Sequence, residues 1–156
     1  MMALLQRVSH ARVRVAGELV GAIDHGLLAL VCAVHGDTAR EADALLARML
    51  ALRIFADAAG KMNRSLRDVL GGLLLVPQFT LAADTRGGTR PSFSAAAGAE
   101  AARALFDHLL AQARVQHAPV AAGRFGADMQ VELVNDGPVT LMLDIAPLET
   151  SFKERA

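Results

Sequence analysis

The side chains with the most evident chemical use lie in residues 76–93, which read VPQFTLAADTRGGTRPSF. An apolar run ends at Gln78 and Thr80, and a loop rich in glycine, threonine and arginine follows. Arg86 and Arg90 flank two glycines, so the backbone can approach a ligand closely while two guanidinium groups contact its phosphates. Loops that begin at the end of a rigid strand often carry binding sites. From these residues alone, a binding site and an exposed, solvated connection are supported about equally.

A second polar cluster, Asn135-Asp136-Gly137-Pro138, separates two alternating apolar runs. These residue types favour turns, so a hairpin without a direct function is the simpler interpretation. A proline here also allows a cis peptide bond, because the cis form of an X-Pro bond costs only about 0.5–1 kcal/mol. A cis turn would present backbone carbonyl groups in a fixed direction rather than a reactive side chain.

The side-chain arrangements used by many hydrolases are missing from both clusters. All five histidines lie outside them, so neither a Ser-His-Asp arrangement nor a zinc hydrolase motif is supported. Cys32 lies in an apolar run, which favours a small core residue over a nucleophile. Thr80 has no base nearby in the sequence, so a positioning hydrogen bond is at least as well supported as nucleophilic attack. We expect neither a metal nor a cofactor.

Charge and composition limit the partners of the chain. Its 156 residues include 16 basic and 16 acidic ones, and this zero formal net charge argues against coating DNA or RNA by charge alone. The absence of Trp and Tyr argues against a broad base-stacking platform, whereas a local contact with one nucleic acid end stays open. The apolar runs are too short to cross a membrane, and the N-terminus lacks the pattern of a signal peptide. We expect a soluble, cytoplasmic protein without a membrane partner.

The elements that hold these clusters follow from the spacing of the apolar residues. Alternation predicts strands at 3–9, 12–16 and 19–23, followed by an apolar strand from Gly26 to about Val34 and another that ends near Gln78. A capping box of Thr38 and Glu41 opens a first helix, and a second is predicted at about 99–116. Two closing strands are predicted at 129–134 and 139–145.

This order of elements predicts an α+β fold with mixed or antiparallel sheets and two main helices. We expect one domain over residues 1–147 and a mobile C-terminal tail at 148–156. His108 and His117, on or just beyond the second predicted helix, are expected to be solvated.

Several segments together resemble the D-aminoacyl-tRNA deacylase family. Residues 77–93 and the segment NDGPVT at 135–140 look like the family's paired signature motifs. Supporting similarity covers residues 6–15, 53–63 and 123–138, and the resemblance extends from residue 1 to about 146. One departure is Pro77, where the family usually has serine and where proline removes a backbone donor. Proline at this place is similar to a related branch with relaxed chiral selectivity, whereas Phe79 and Asn135-Asp136 match the D-specific branch.

The resemblance implies a homodimeric hydrolase that cleaves the ester between a D-amino acid and the 3′-terminal adenosine of tRNA. The family also removes glycine from mischarged alanine tRNA. Its Gly-Pro motif, here Gly137-Pro138, is held cis and enters the active site of the partner subunit. Backbone carbonyl groups then crowd the side on which an L side chain would lie, so that L-aminoacyl-tRNA is rejected. Asn135 and Met129 are assigned to the same substrate-binding region.

The resemblance also places Gln78, Phe79 and Thr80 at the catalytic pocket, with backbone donors near the ester carbonyl. The missing histidine base is explained if the 2′-hydroxyl of the substrate helps to activate water, so Thr80 receives a positioning role. An enzyme that grips only the tRNA acceptor end needs a local basic patch, for which the candidates are Arg7, Arg86, Arg90 and Arg124.

Two other interpretations stay open. One is a non-catalytic module of the same fold that binds the ends of aminoacyl-tRNA. The other is a dimeric metabolite-binding protein in which both polar clusters are only turns.

Overall fold

A computed structural model describes residues 1–146, in which six strands form one mixed sheet. In chain order the elements are β1 (Met2–Val15), β2 (Glu18–Ile23), β3 (Gly26–Cys32), α1 (Ala39–Ala51), β4 (Phe55–Ala56), β5 (Met62–Arg64), β6 (Gly72–Pro77), a 3-10 turn (Phe79–Ala82), α2 (Ala99–Gln116), β7 (Val120–Ala122) and β8 (Gln130–Asp144). Strands β4 and β5 form a separate two-stranded sheet.

The long strand β1 organises the main sheet. Its first half pairs with β3, its second half pairs with β2, and β8 runs antiparallel along nearly its whole length. Strand β6 is parallel to β3, and β7 is parallel to β6. The sheet is therefore mixed, and together with the two helices it confirms the predicted α+β class.

The parallel strands β3 and β6 carry almost uninterrupted apolar residues because both of their faces are covered. Helices α1 and α2 pack on one face, and residues of β1, β2 and β8 cover part of the other. The two strands begin in close contact, since a Cβ on Gly26 would lie 2.0 Å from the carbonyl oxygen of Gly72. Glycine at position 26 thus permits the backbone spacing at which the parallel pair starts.

Helix α1 begins as predicted, with a capping box. The Arg40 amide donates to Thr38 Oγ1 at 3.3 Å, and the Thr38 amide donates to Glu41 Oε2 at 2.8 Å. These bonds satisfy amide groups that the first helical turn leaves without partners. The apolar stripe of the helix packs on the sheet and consists of Ala42, Leu45, Leu46, Met49 and Leu50.

The structure corrects two of the predicted strands and adds one that was not predicted. The separate strands expected at 3–9 and 12–16 are the single strand β1, because β8 pairs across the junction between them. Strand β3 ends at Cys32, and Val34 forms only an isolated bridge with Ala96. Strand β7 was not predicted, since three half-buried residues are too few to show a period.

The predicted closing hairpin is wrong. Residues 130–144 form one continuous strand against β1, and the chain does not reverse at Asn135-Asp136-Gly137-Pro138. Thr140 is paired with Gln6, whereas Asn135 is already paired with Val8. Residues 136–139 therefore bulge out opposite Arg7. Turn-forming residues suit a bulge as well as a hairpin, so their types alone could not separate the two.

The two late histidines are also less exposed than expected. His108 Nε2 lies 2.8 Å from Asp43 Oδ1 and so connects α2 to α1, and His117 Nε2 donates to the Gly71 carbonyl oxygen at 2.7 Å. None of the described helices combines the length and apolarity needed to cross a membrane. The tail predicted at 148–156, like residue 147, lies outside the described residues.

Candidate active site

A cavity of about 610 Å³ opens where β3 and β6 end, beside the first two turns of α2. Its wall is mainly apolar, and its polar side chains include Gln78 and Asp128. The segment 125–129 forms one continuous side of it. Other lining residues come from the ends of β3 and β6, the 3-10 turn, the loop before α2 and α2 itself, and include Val31, Cys32, Ala33, Pro77, Phe79, Phe93 and Phe106. A pocket of this size and character suits a small organic group rather than a metal ion.

Strand β6 ends at the mouth of this cavity, in Pro77. The Gln78 amide donates to the Val31 carbonyl oxygen at 2.7 Å, and the 3-10 turn begins at the next residue. The Gln78 side-chain amide donates to the hydroxyl of Thr80. An amide donor cannot take a proton from that hydroxyl, so this contact orients Thr80 without activating it as a nucleophile.

Phe79 marks the rim of the cavity, with 57% of its surface exposed. Its ring meets the ring of Phe93 edge to face, at 5.0 Å between centroids. The Phe79 carbonyl oxygen accepts a hydrogen bond from Cys32 Sγ at 3.5 Å. Burial raises the pKa of the Cys32 thiol, so near neutral pH this group stays protonated. The thiol therefore supports the wall of the cavity, in agreement with the core position predicted for it.

The bulge at residues 136–139 is braced from both strands. The guanidinium group of Arg7 donates from Nη1 to the Ile54 carbonyl oxygen at 2.7 Å and from Nε to the Asp136 carbonyl oxygen at 3.2 Å. Asn135 closes the base of the bulge, because its Nδ2 donates to Thr140 Oγ1 at 2.9 Å and its Oδ1 accepts from the Val139 amide at 3.1 Å. Side-chain hydrogen bonds from both strands thus hold the bulge in a defined conformation.

Gly137 stands at the tip of this bulge with a φ of +123°, a conformation that L side chains rarely adopt. A Cβ at this position would lie 2.7 Å from Arg7 Nη2. The peptide bond between Gly137 and Pro138 is cis, and both residues are exposed.

The four arginines predicted to contact tRNA have different surroundings. Arg7 lies beneath the bulge with only 13% of its side chain exposed. Arg86 is 89% exposed but is bound by both oxygens of Asp84, and this contact holds the pKa of that carboxyl below its ordinary value. Arg124 Nη2 lies 3.9 Å from Glu18 Oε2, and Arg90 is in the exposed part of the same loop as Arg86.

The predicted residues fall into two groups. Gln78, Phe79 and Met129 line the cavity, and Thr80 is tied to it through Gln78. Gly137 and Pro138 belong to the bulge, and Asn135 and Arg7 brace it; none of these four residues lines the cavity of the same chain.

Sequence reasoning missed several of the lining residues, among them Asp128, Phe93 and Phe125. All three lie in segments that the sequence had singled out, Phe93 in 76–93 and the other two in 123–138, but none of them was given a role. In residues 1–146 there is no group of three His, Cys, Asp or Glu side chains that could hold a metal ion.

The chain is similar to known proteins over nearly its whole length. The family model described as "D-Tyr-tRNA(Tyr) deacylase" matches residues 4–144. A curated protein of Azoarcus sp. (strain BH72), named "D-aminoacyl-tRNA deacylase", is 67% identical over 147 residues, which cover 94% of this chain and 97% of the relative.

Two solved structures share the fold. One, named "c-Myc DNA Unwinding Element Binding Protein", superposes with a TM-score of 0.89 at 38% identity. The match covers 94% of this chain and 99% of the solved chain. The other, "Structural Analysis of a probable eukaryotic D-amino acid tRNA deacylase", has a TM-score of 0.79 at 18% identity. That match covers 92% of this chain and 98% of the solved chain. The second likeness concerns the fold alone.

Proposed function

The chain belongs to the D-Tyr-tRNA(Tyr) deacylase family and is a hydrolase that acts on D-aminoacyl-tRNA, and from this premise we propose how it selects and cleaves its substrate. Two copies of the chain form the working enzyme, in the cytoplasm where translation occurs. The bulge of one copy enters the cavity of the other and rejects L-aminoacyl-tRNA, whereas a D-amino acid or glycine, including glycine on alanine tRNA, is accepted.

One observation carries this proposal. The braced bulge and the cavity are both present in each chain, yet Gly137 and Pro138 are absent from the lining of their own cavity. A second copy brings the two together. Gly137 has no side chain, so its backbone can approach the α-carbon of a bound amino acid more closely than any other residue could. Crowding on one side of that carbon excludes an L side chain and leaves room for hydrogen or a D side chain.

The cavity holds the terminal adenosine and its ester beside the 3-10 turn. The first amides of such a turn, those of Phe79 and Thr80, have no acceptor within the turn itself. Aimed at the ester carbonyl, they stabilise the negative charge that develops on its oxygen during attack by water. Gln78 and Thr80 keep this turn in position.

The water is activated by the 2′-hydroxyl of the terminal adenosine. Thr80 receives a hydrogen bond from an amide, and in residues 1–146 neither histidine nor carboxylate contacts its hydroxyl. Asp128 is the competing candidate for a general base because its residue lines the cavity. A substrate that ends in 2′-deoxyadenosine separates the two groups, since it lacks the hydroxyl and leaves Asp128 unchanged.

The test uses the purified protein with D-tyrosyl-tRNA, L-tyrosyl-tRNA and glycyl-tRNA specific for alanine. We expect release of D-tyrosine and glycine with L-tyrosyl-tRNA left intact, and sedimentation as a dimer. Comparable release of both tyrosine enantiomers would contradict chiral rejection. Binding of D-tyrosyl-tRNA without release above buffer would instead favour a non-catalytic module.

A further inference from the structure

Arg103, on the second turn of α2, lies across the rim of the cavity. Its guanidinium carbon is 4.7 Å from the ring centroid of Phe125, and its Nη2 is 3.6 Å from the point where a Cβ on Gly126 would stand. Both Phe125 and Gly126 line the cavity, and Arg103 itself is exposed. A positive charge therefore stands where the apolar wall of the cavity meets solvent.

The position of this guanidinium group is supported from below. Phe125 packs against the buried ring of Phe106 at 6.4 Å between centroids, so the aromatic face under Arg103 is fixed to the core. A guanidinium stacked on an aromatic face keeps its N–H groups directed outward, around the edge of its plane. The contact with the ring thus positions Arg103, and no hydrogen bond within residues 1–146 occupies its N–H donors.

Among the residues that the structure describes, none forms an ion pair with Arg103. In the described part of the chain, no carboxylate oxygen lies within 4.0 Å of its guanidinium group, although Glu100 and Asp107 are one turn away on the same helix. Two of the arginines expected to contact tRNA differ in this respect, since Arg7 is bound beneath the bulge and Arg86 is bound by Asp84. Within residues 1–146, Arg103 therefore combines a guanidinium group that has no carboxylate partner with direct contact to the cavity wall.

We infer that Arg103 binds the phosphodiester group that joins the terminal adenosine of the substrate to the preceding nucleotide. This inference rests on the proposed function, in which the adenosine and its ester occupy the cavity. The 5′ side of that adenosine then leaves the cavity at its rim, and its phosphate is the first charged group outside the apolar wall. Guanidinium groups bind phosphate oxygens through two parallel hydrogen bonds, which fix orientation as well as adding affinity.

The experiment compares two esters that differ only beyond the adenosine: D-tyrosyl-tRNA and D-tyrosyl-adenosine, which has no phosphate. For Arg103→Gln we expect kcat/KM on D-tyrosyl-tRNA to fall about tenfold, the size expected for one charged hydrogen-bonded contact. On D-tyrosyl-adenosine, kcat/KM of Arg103→Gln should stay within about twofold of the value for the unsubstituted protein. The plot of log kcat/KM against log salt concentration becomes flatter by about 0.7, the slope associated with one phosphate of a single strand.

Arg114→Gln is the matched control. Arg114 is exposed on the same helix, eleven residues further on, so it lies on the same face about 16 Å along the axis. The two variants carry the same net charge, and Arg114→Gln is expected to leave kcat/KM for both esters nearly unchanged. An equal loss in both variants would show a general effect of charge and overturn the inference.

Two further outcomes would also overturn it. An equal loss on both esters in Arg103→Gln would mean that Arg103 only supports the wall at Phe125, and an unchanged kcat/KM on D-tyrosyl-tRNA would mean that it binds nothing. Titration with the trinucleotide CpCpA needs no catalysis, and Arg103→Gln should weaken this binding about tenfold. If the original protein cleaves neither ester but Arg103→Gln still weakens CpCpA binding, the proposed function fails and the phosphate contact stands.

Discussion

Replacement of Arg7 by glutamine separates two roles for this residue, namely contact with tRNA and support of the bulge. The structure favours support, because its guanidinium group donates to the Ile54 and Asp136 carbonyl oxygens and is only 13% exposed. Glutamine is shorter and uncharged, so it reaches neither acceptor in the same geometry. The change leaves the Ile54 carbonyl oxygen without its donor and leaves the bulge attached only through Asn135 and the strand.

The expected loss of stability follows from these contacts. A hydrogen bond from a charged donor contributes about 1.5–3 kcal/mol, and the bond to Ile54 at 2.7 Å is a short one. The bond to the Asp136 carbonyl oxygen, at 3.2 Å, adds less, and the ion pair with the half-exposed Asp136 carboxylate adds about 0–1 kcal/mol. We therefore expect Arg7→Gln to lower the free energy of unfolding by about 2–4 kcal/mol.

The functional consequence is a loss of chiral discrimination. A bulge that is free to move no longer crowds one side of the α-carbon, so hydrolysis of L-tyrosyl-tRNA should rise relative to D-tyrosyl-tRNA by about tenfold, equivalent to about 1.4 kcal/mol of lost rejection. The salt dependence of kcat/KM should stay as it is, because no phosphate contact has been removed.

The assays are urea unfolding and deacylation of both enantiomeric substrates over a range of salt concentrations. Arg12→Gln serves as the control, since Arg12 lies on the same strand and, among residues 1–146, its side chain forms only an exposed pair with Glu132 at 3.8 Å. It should change the unfolding free energy by less than about 1 kcal/mol. Unchanged stability in Arg7→Gln, together with intact discrimination and a flatter salt dependence, would refute the support role and assign Arg7 to tRNA.

The remaining predictions concern the bulge, the catalytic turn and the first helix. Gly137→Ala should destabilise the bulge by about 1–3 kcal/mol, because alanine is strained at this positive φ, and it should sharply reduce deacylation. Gly87→Ala, where an added Cβ meets nothing within 4 Å, should do neither. Normal activity in Gly137→Ala would show that Gly137 is not part of the site. Thr80→Val and Asp128→Asn should each lower kcat by no more than about tenfold, because neither side chain activates the water in the proposed mechanism. A loss of about 10²–10⁴-fold in either variant would instead identify that residue as a nucleophile or general base. Thr38→Ala should lower the unfolding free energy by about 1 kcal/mol near neutral pH. Hydrogen bonds from Thr38 hold the pKa of Glu41 below its ordinary value, so this contribution is present above the unfolded pKa and is lost as the pH falls through the folded one. In urea unfolding at successively lower pH, the difference in unfolding free energy between the original protein and Thr38→Ala should therefore shrink. A difference that stays constant with pH would show that the bond between Thr38 and ionised Glu41 is not its cause.

Elements whose signals are local agreed with the sequence. The capping box of α1, the span of α2 and the apolar strands β3 and β6 depend on residues that are neighbours along the chain. The polar segment after β6 was recognised for the same reason, because the end of a strand and the composition of the following loop are both visible in sequence. Short elements such as β7 were missed, since their pairing with β6 and not their own pattern holds them in place.

The sequence by itself determined the α+β class, the two helices, the absence of a histidine-based triad from the two polar clusters and the positions of these clusters. Tertiary structure alone decided what the clusters are. Asn135-Asp136-Gly137-Pro138 has the composition of a hairpin turn, but strand β1 pairs with both sides of it, and so the same residues form a bulge in a continuous strand. Tertiary structure likewise placed the Arg7 side chain beneath that bulge and brought Arg103 over Phe125 at the cavity. The physical reason is common to all three: backbone pairing and charge contacts between distant segments choose among local conformations that the residue types alone leave nearly equal in free energy.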